Sequence, residues 1–135
     1  MAGVKRLWPM EEKEDISNLP AIRWGNEHES DAILDFEQEE GGKVVECGIF
    51  IHRKFPFLGA SPDGLWKDSL IEVKCPYSLR NTFPWDIGSL RPVQRRNHFQ
   101  EKIGNNVSLK DTHAYYYQCQ LQMFCTGYRN TKFIV

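Results

Sequence analysis

Asp63, Glu72 and Lys74 are the residues of this chain whose types and spacing suit one kind of reaction. Two carboxylates can supply hard oxygen ligands to Mg²⁺, which keeps several waters and is usually held by one or two carboxylates. The Val73 carbonyl could add another oxygen. A lysine two residues after Glu72 can orient or deprotonate a water, while a bound metal polarises a phosphoryl oxygen and stabilises the leaving group. That chemistry is phosphodiester hydrolysis. Taken alone, the E-x-K pair is also the ordinary pattern of a solvated strand face, and Pro-Asp-Gly is a common turn. The reading therefore depends on the rest of the chain.

The elements that must position these residues lie between Leu58 and Tyr77. Ser61-Pro62-Asp63-Gly64 is a turn cluster closing an apolar run. Leu70, Ile71 and Val73 are strand formers, and the line ends at Pro76, which cannot donate to a sheet ladder. Lys67-Asp68-Ser69 is a polar break of hairpin length. This pattern predicts a β-hairpin with Asp63 near one strand and Glu72 and Lys74 on one face of the other, since side chains alternate.

Upstream, the pattern from Asn26 to Glu40 predicts a helix with Ala32, Ile33 and Phe36 on one stripe, stopped by Gly41-Gly42. Glu27 and Glu29 fall in its first turn, where capping and solubility alone can account for them. Residues 1–19 read as a charged arm. Val44–His52 and Phe55–Ala60 read as two strands separated by Arg53-Lys54. From Pro76 to about Asp111 the chain reads as a long loop with a helix across 93–103. Arg91, Arg95, Arg96 and Lys102 form its basic run, which is either a phosphate-contacting loop or an ordinary charged surface helix. Ala114–Cys125 predicts a helix with an apolar face of Tyr117, Leu121, Phe124 and Cys125. Gln118 and Gln122 lie one turn apart on one side of it, and Gln120 points away. A tyrosine of the 115–117 run could stack on bases or pack in the core. Lys132–Val135 reads as a strand.

With 135 residues, 41% of them hydrophobic and 26% charged, the chain reads as one globular domain. No apolar run reaches membrane-spanning length, and the first residues lack the apolar stretch of a signal peptide, so the protein is expected to be intracellular. Cys47, Cys75, Cys119 and Cys125 have no zinc spacing and read as reduced, mostly buried thiols. The net charge of −1 leaves nucleic-acid binding to a local basic patch and bound metal.

Four separated stretches then point the same way: W-G-N-E-H-E-S-D-A (24–32), G-A-S-P-D-G-L (59–65), I-E-V-K-C-P-Y-S (71–78) and H-A-Y-Y-Y-Q-C-Q-L-Q-M-F-C-T-G (113–127). In this order they resemble the YqaJ-type viral recombinase family, the group that includes lambda exonuclease, within the PD-(D/E)xK nuclease superfamily. The likeness runs from about Pro20 to the C-terminus. It implies an α/β fold of the restriction-endonuclease-like type, with a mixed central sheet (strands near 44–52, 55–61, 63–67, 70–75 and 131–135) flanked by helices 26–40 and 114–126.

By resemblance, Asp63, Glu72, Glu29 and the Val73 carbonyl would hold Mg²⁺, with Mn²⁺ able to substitute. Lys74 would be the catalytic lysine, and Gln118 the helix glutamine near the scissile phosphate. Ser61 would lie close to the DNA phosphate. Apart from the resemblance, the basic run of Arg91, Arg95, Arg96 and Lys102 would grip the DNA backbone, and Tyr115 could stack on a base. The choices of Glu29 over Glu27 and Gln118 over Gln120 rest on the resemblance alone.

The implied activity is 5′→3′ digestion of double-stranded DNA ends in recombination or in viral or mobile-element DNA processing. The partners implied are a single-strand annealing protein and a homo-oligomer, trimeric in the family. The segment before Trp24 does not resemble the helical segment of the phage-type enzymes, and the family continues beyond the position of Val135. The expectation is a complete metal site, with exonuclease and endonuclease or nickase both open, and a non-cleaving DNA- or partner-binding remnant as the reading from outside enzymology.

Overall fold

The structure, a computed structural model, describes residues 16–83, 86, 88 and 90–135. Most of the charged arm expected over 1–19 lies outside the described residues.

Helix α1 spans Pro20–Glu40. It begins six residues before the expected Asn26, because Pro20 occupies the first helical turn, where its missing N–H costs nothing and its fixed φ is already helical. Glu27 and Glu29 consequently lie inside the helix and not in its first turn. The stop is at Gly41, whose φ of +72° continues no helix and whose N–H donates to the Glu37 carbonyl. Ala32, Ile33 and Phe36 form the stripe that packs on the core, as expected.

The strands are β1 (Phe50–Ile51), β2 (Gly59–Ala60), β3 (Gly64–Trp66), β4 (Ser69–Val73), β5 (Gln100–Ile103), β6 (Asn106–Leu109) and β7 (Thr131–Ile134). β4 is central: it pairs antiparallel with β3 and parallel with β7, so the sheet is mixed. The β3–β4 turn is Lys67-Asp68, with Lys67 at φ +54°. All five residues of β4 are buried, the mark of a strand covered on both faces. On one face Ile71 and Val73 join Trp66 in the core under α1, where the Phe36 ring meets Trp66 edge-on at 5.1 Å. On the other face Glu72 looks toward α3 (Ala114–Thr126), whose N-cap His113 accepts from the Tyr115 N–H.

The expected strand over 44–52 is much shorter than its apolar pattern suggests: only Phe50–Ile51 pairs with Gly59–Ala60, and Val45 makes a single bridge to Leu65. Gly64 explains the crossing. A Cβ there would run into the Val44 side chain and lie 3.2 Å from the Val45 carbonyl oxygen, so glycine is needed for close approach, not for its φ. The expected helix over 93–103 is α2, Pro92–Asn97, only; β5 follows it and pairs with β6 through the two-residue turn Gly104-Asn105. Lys102 therefore sits on a strand. A Gly-Asn pair between Ile103 and Val107 is a hairpin signal that the loop reading passed over.

Of the four residues expected on the apolar face of α3, Cys125 alone is turned inward. Tyr117, Leu121 and Phe124 are exposed, while Cys119, Gln122 and Cys125 are buried. The glutamine side of the helix faces the sheet because Glu72 is there to receive its amides. All four cysteines are free thiols. Burial holds Cys47, Cys75 and Cys119 above the usual thiol range, Cys119 at about 11, where the Glu72 charge adds to burial. No helix among the described residues is long and apolar enough to cross a membrane.

Candidate active site

The C-terminal end of β4 brings Asp63, Glu72, Lys74 and Gln118 together. Asp63, just before β3, is fixed by a bond from its own N–H to the Ile71 carbonyl (3.0 Å) and accepts the Val73 N–H on Oδ2 (2.7 Å). The hairpin thus carries the acid to the C-terminal end of the next strand.

Glu72 is 1% exposed, and both its oxygens are engaged. Oε1 accepts from Gln118 Nε2 at 2.7 Å and pairs with the Lys74 ammonium. Oε2 accepts from Gln122 Nε2 at 2.6 Å. A buried carboxylate costs several kcal/mol unless it is paired and hydrogen-bonded, and three donors meet that demand. Gln122 is itself 1% exposed; its amide nitrogen also lies 3.5 Å from the Ser61 carbonyl oxygen, and its Oε1 has no partner among the described residues. The sequence reading placed Gln122 one turn from Gln118 but gave it no role. The i, i+4 pair of amides on one face was the available signal.

Lys74 is half-buried, with its ammonium 5.1 Å from the centre of the Tyr115 ring. Burial works against its charge, but the hydrogen bond and charge of Glu72, with Asp63 behind, outweigh that and raise its pKa above the usual lysine value. Lys74 is therefore an ammonium at neutral pH, placed to donate.

Glu29 reaches the same place from α1. Burial, then the Asp63 charge and a hydrogen bond to Asp63, raise its pKa. Glu27, by contrast, lies out in solvent beside Arg23 at 3.7 Å. Gln120 is exposed, whereas Gln118 is half-buried. In each pair one member thus faces Asp63 or Glu72 and the other faces solvent. Glu29, Asp63 and Ser61 line one cleft of about 630 Å³ with Cys47 and Gly48. Glu29 also lines a second, of about 520 Å³, with Val73, Lys74 and Tyr115. The two meet at Glu29 and Asn26.

Among the described residues no three His, Cys, Asp or Glu side chains gather into a ready-made metal cage. Asp63 and Glu29 stand together, while Glu72 is held by amides and Lys74. The Asp63–Glu29 pair nevertheless fits a hard divalent cation. Two carboxylates meeting at one place are hard-oxygen donors, and Mg²⁺ needs only one or two protein carboxylates.

The basic run divides. Arg95 donates to the carbonyls of Gly88 (2.7 Å) and Leu90 (3.1 Å), and Arg91 Nε donates to Gln94 Oε1. Their guanidinium groups hold the local chain. Arg96 and Lys102 are exposed. Tyr115 packs among Phe99 (5.3 Å), His113 (4.6 Å) and Phe133 (6.0 Å), with its ring face toward Lys74.

A family model, the YqaJ-like viral recombinase domain, matches residues 3–129, and the chain belongs to that family. Among solved structures it is similar to an alkaline exonuclease, LHK-Exo from Laribacter hongkongensis, at 31% identity and a TM-score of 0.59, over 84% of this chain and 48% of that one. The same exonuclease in complex with dAMP matches with a TM-score of 0.58 at the same identity and coverage. This chain thus spans about half the length of that exonuclease. No curated protein matches.

Proposed function

We propose that this chain carries the catalytic core of a metal-dependent DNA nuclease that digests duplex ends, 5′→3′. The observation that carries the proposal is the joint cleft: a Glu29–Asp63 carboxylate pair beside a buried Glu72–Lys74 pair, on the strand and helices of a YqaJ-family fold. The similarity to an alkaline exonuclease, solved also with a deoxymononucleotide, supports DNA over RNA and end-wise release over internal cutting.

Asp63 and Glu29 would hold Mg²⁺ or Mn²⁺, with Glu72 and the Val73 carbonyl next to them. Such an ion, when bound, offsets phosphate charge and acidifies a coordinated water. The residues of the chain do the rest. Lys74 donates from Nζ to a phosphate oxygen or to the attacking water, and its link to Glu72 Oε1 fixes where that donor points. Gln118 holds Glu72 on the α3 side, and Ser61 stands at the cleft wall beside Asp63. Arg96 and Lys102, exposed on α2 and β5, would meet the DNA backbone. A recombination role, with an annealing protein and a trimeric assembly, belongs to the same proposal and rests on family membership.

The test is digestion of linear duplex labelled at either 5′ or 3′ ends, beside closed circular duplex, with Mg²⁺ or Mn²⁺. Release of 5′ label as mononucleotide with circles intact is the expected result. Cut circles would replace the exonuclease with an endonuclease, and metal-independent cutting would contradict the site as described.

A further inference from the structure

The β1–β2 hairpin grows directly out of the cleft. Cys47 and Gly48 before β1, and Ser61 to Asp63 after β2, line it, and residues 52–58 form the tip. That tip is ordered. His52 Nδ1 accepts from the N–H groups of Lys54 (3.2 Å) and Phe55 (3.1 Å), the His52 N–H donates to Leu58 O (2.9 Å), and the Leu58 N–H to Phe55 O (2.8 Å). Three rings are thereby held nearly parallel: His52 on Phe124 at 4.4 Å and 12°, His52 on Phe55 at 5.1 Å and 21°, and Phe55 on Phe124 at 6.3 Å and 18°. Phe55 is 42% and Phe124 52% exposed; Phe57, 81% exposed, flanks the stack with its ring 6.0 Å from Phe55 and tilted by 52°. This outward aromatic surface contributes little to the core.

Its charge is one-sided. From Gly48 to Ala60 there is no acidic residue, and Arg53 and Lys54 stand exposed at the tip; α3 beside it has no charged residue. An ordered ring stack flanked by cations, with no carboxylate among them, complements a chain of bases on a phosphate backbone, because every base offers a π-face and every linkage an anion. A duplex offers its backbone but not its base faces.

We propose that the β1–β2 hairpin, with Phe124 of α3, is a stacking platform for the DNA single strand that runs to or from the cleft. Its place in the reaction rests on the nuclease reading; its binding does not. The platform extends the path of a strand past Ser61 and out along the tip.

The test is fluorescence anisotropy of labelled oligo-dT in chelator, so that no cleavage occurs, with wild type, Phe57→Ala and the double variant Arg53→Ala/Lys54→Ala. Phe57 is exposed enough for its alanine variant to fold normally. Phe57→Ala is expected to weaken oligo-dT binding about ten-fold. The double variant is expected to lower the slope of log affinity against log salt by about 1.4. Affinity for blunt duplex is expected to hold in Phe57→Ala. Unchanged oligo-dT affinity in both variants would overturn the platform. So would self-association in sedimentation that Phe57→Ala abolishes with DNA affinity unchanged, since the surface would then belong to a second copy. Phe57-dependent binding by a protein that cuts nothing would leave the platform standing and remove only the nuclease reading.

Discussion

Glu72 sits at the centre of the site with both oxygens engaged, and its partners have separable effects. Gln122 acts through it: its Nε2 holds Oε2, which leaves Oε1 toward Lys74 and the cleft. Its own Oε1 has no partner among the described residues. Gln122→Leu keeps the volume but withdraws the donor from a buried charge. The expected outcome is a loss of about 1–3 kcal/mol in denaturant unfolding and cleavage at least ten-fold slower; Gln120→Leu, on the exposed side, should change neither. Glu29 shows the complementary case. It stands against Asp63 with its pKa raised by burial and by that like charge. Glu29→Gln removes the repulsion, so in chelator its Tm should rise while metal-dependent cleavage falls. A Tm that falls in chelator would show that Glu29 is held by contacts other than Asp63. At this scale the sequence predicted the hairpin that brings Asp63 beside Glu72 and Lys74, though the same pattern alone also suits a solvated strand face. It was silent on Glu29 against Glu27 and Gln118 against Gln120, because helical periodicity alone does not say which face meets the sheet.

The elements follow from local chemistry where that chemistry is strong. Pro20, Gly41 and Gly127 set helix ends, and Lys67-Asp68 sets the β3–β4 turn. They depart from it where tertiary contact decides. The aromatic stripe of α3 looks like a core face in sequence and is exposed in the fold, because the buried carboxylate of Glu72 draws the glutamines inward. The apolar run from Val44 is cut short as a strand where it crosses Gly64. Gly64→Ala should therefore push against Val44 and the Val45 carbonyl and cost about 1–3 kcal/mol as overpacking. An unchanged unfolding midpoint would mean that the 44–45 segment yields freely. His98, at the α2–β5 junction, is 7% exposed and bonds Gln100 at 3.0 Å. Burial lowers its pKa, with the Lys110 and His113 charges acting in the same sense and the Gln100 bond opposing. The folded state thus resists protonation. Below the unfolded value of about 6.5, the unfolded chain takes up a proton that the folded chain does not, so stability falls as pH drops through that region and levels off once folded His98 also titrates. His98→Leu should flatten this part of the stability–pH curve, measured by urea unfolding between neutral and mildly acidic pH.

For the molecule as a whole, a net charge of −1 gives no sign of DNA binding. What the fold does is concentrate its charges. Carboxylates and Lys74 gather at one end of β4, and cations stand out at Arg96, Lys102 and the Arg53-Lys54 tip. The layered α1–sheet–α3 core, which the resemblance of four motifs implied, is the frame that makes this possible. In the proposed function, Lys74 and Asp63, joined through Glu72 and Val73, form one hydrolytic site. The measurement that tests it most directly is mononucleotide release from linear duplex in Mg²⁺ by wild type, Lys74→Ala and Asp63→Asn. The expected result is release by the wild type and a loss of about 10²-fold or more in each variant, with the native fold retained by circular dichroism. Release by Lys74→Ala at the wild-type rate would rule out a role for this lysine in hydrolysis.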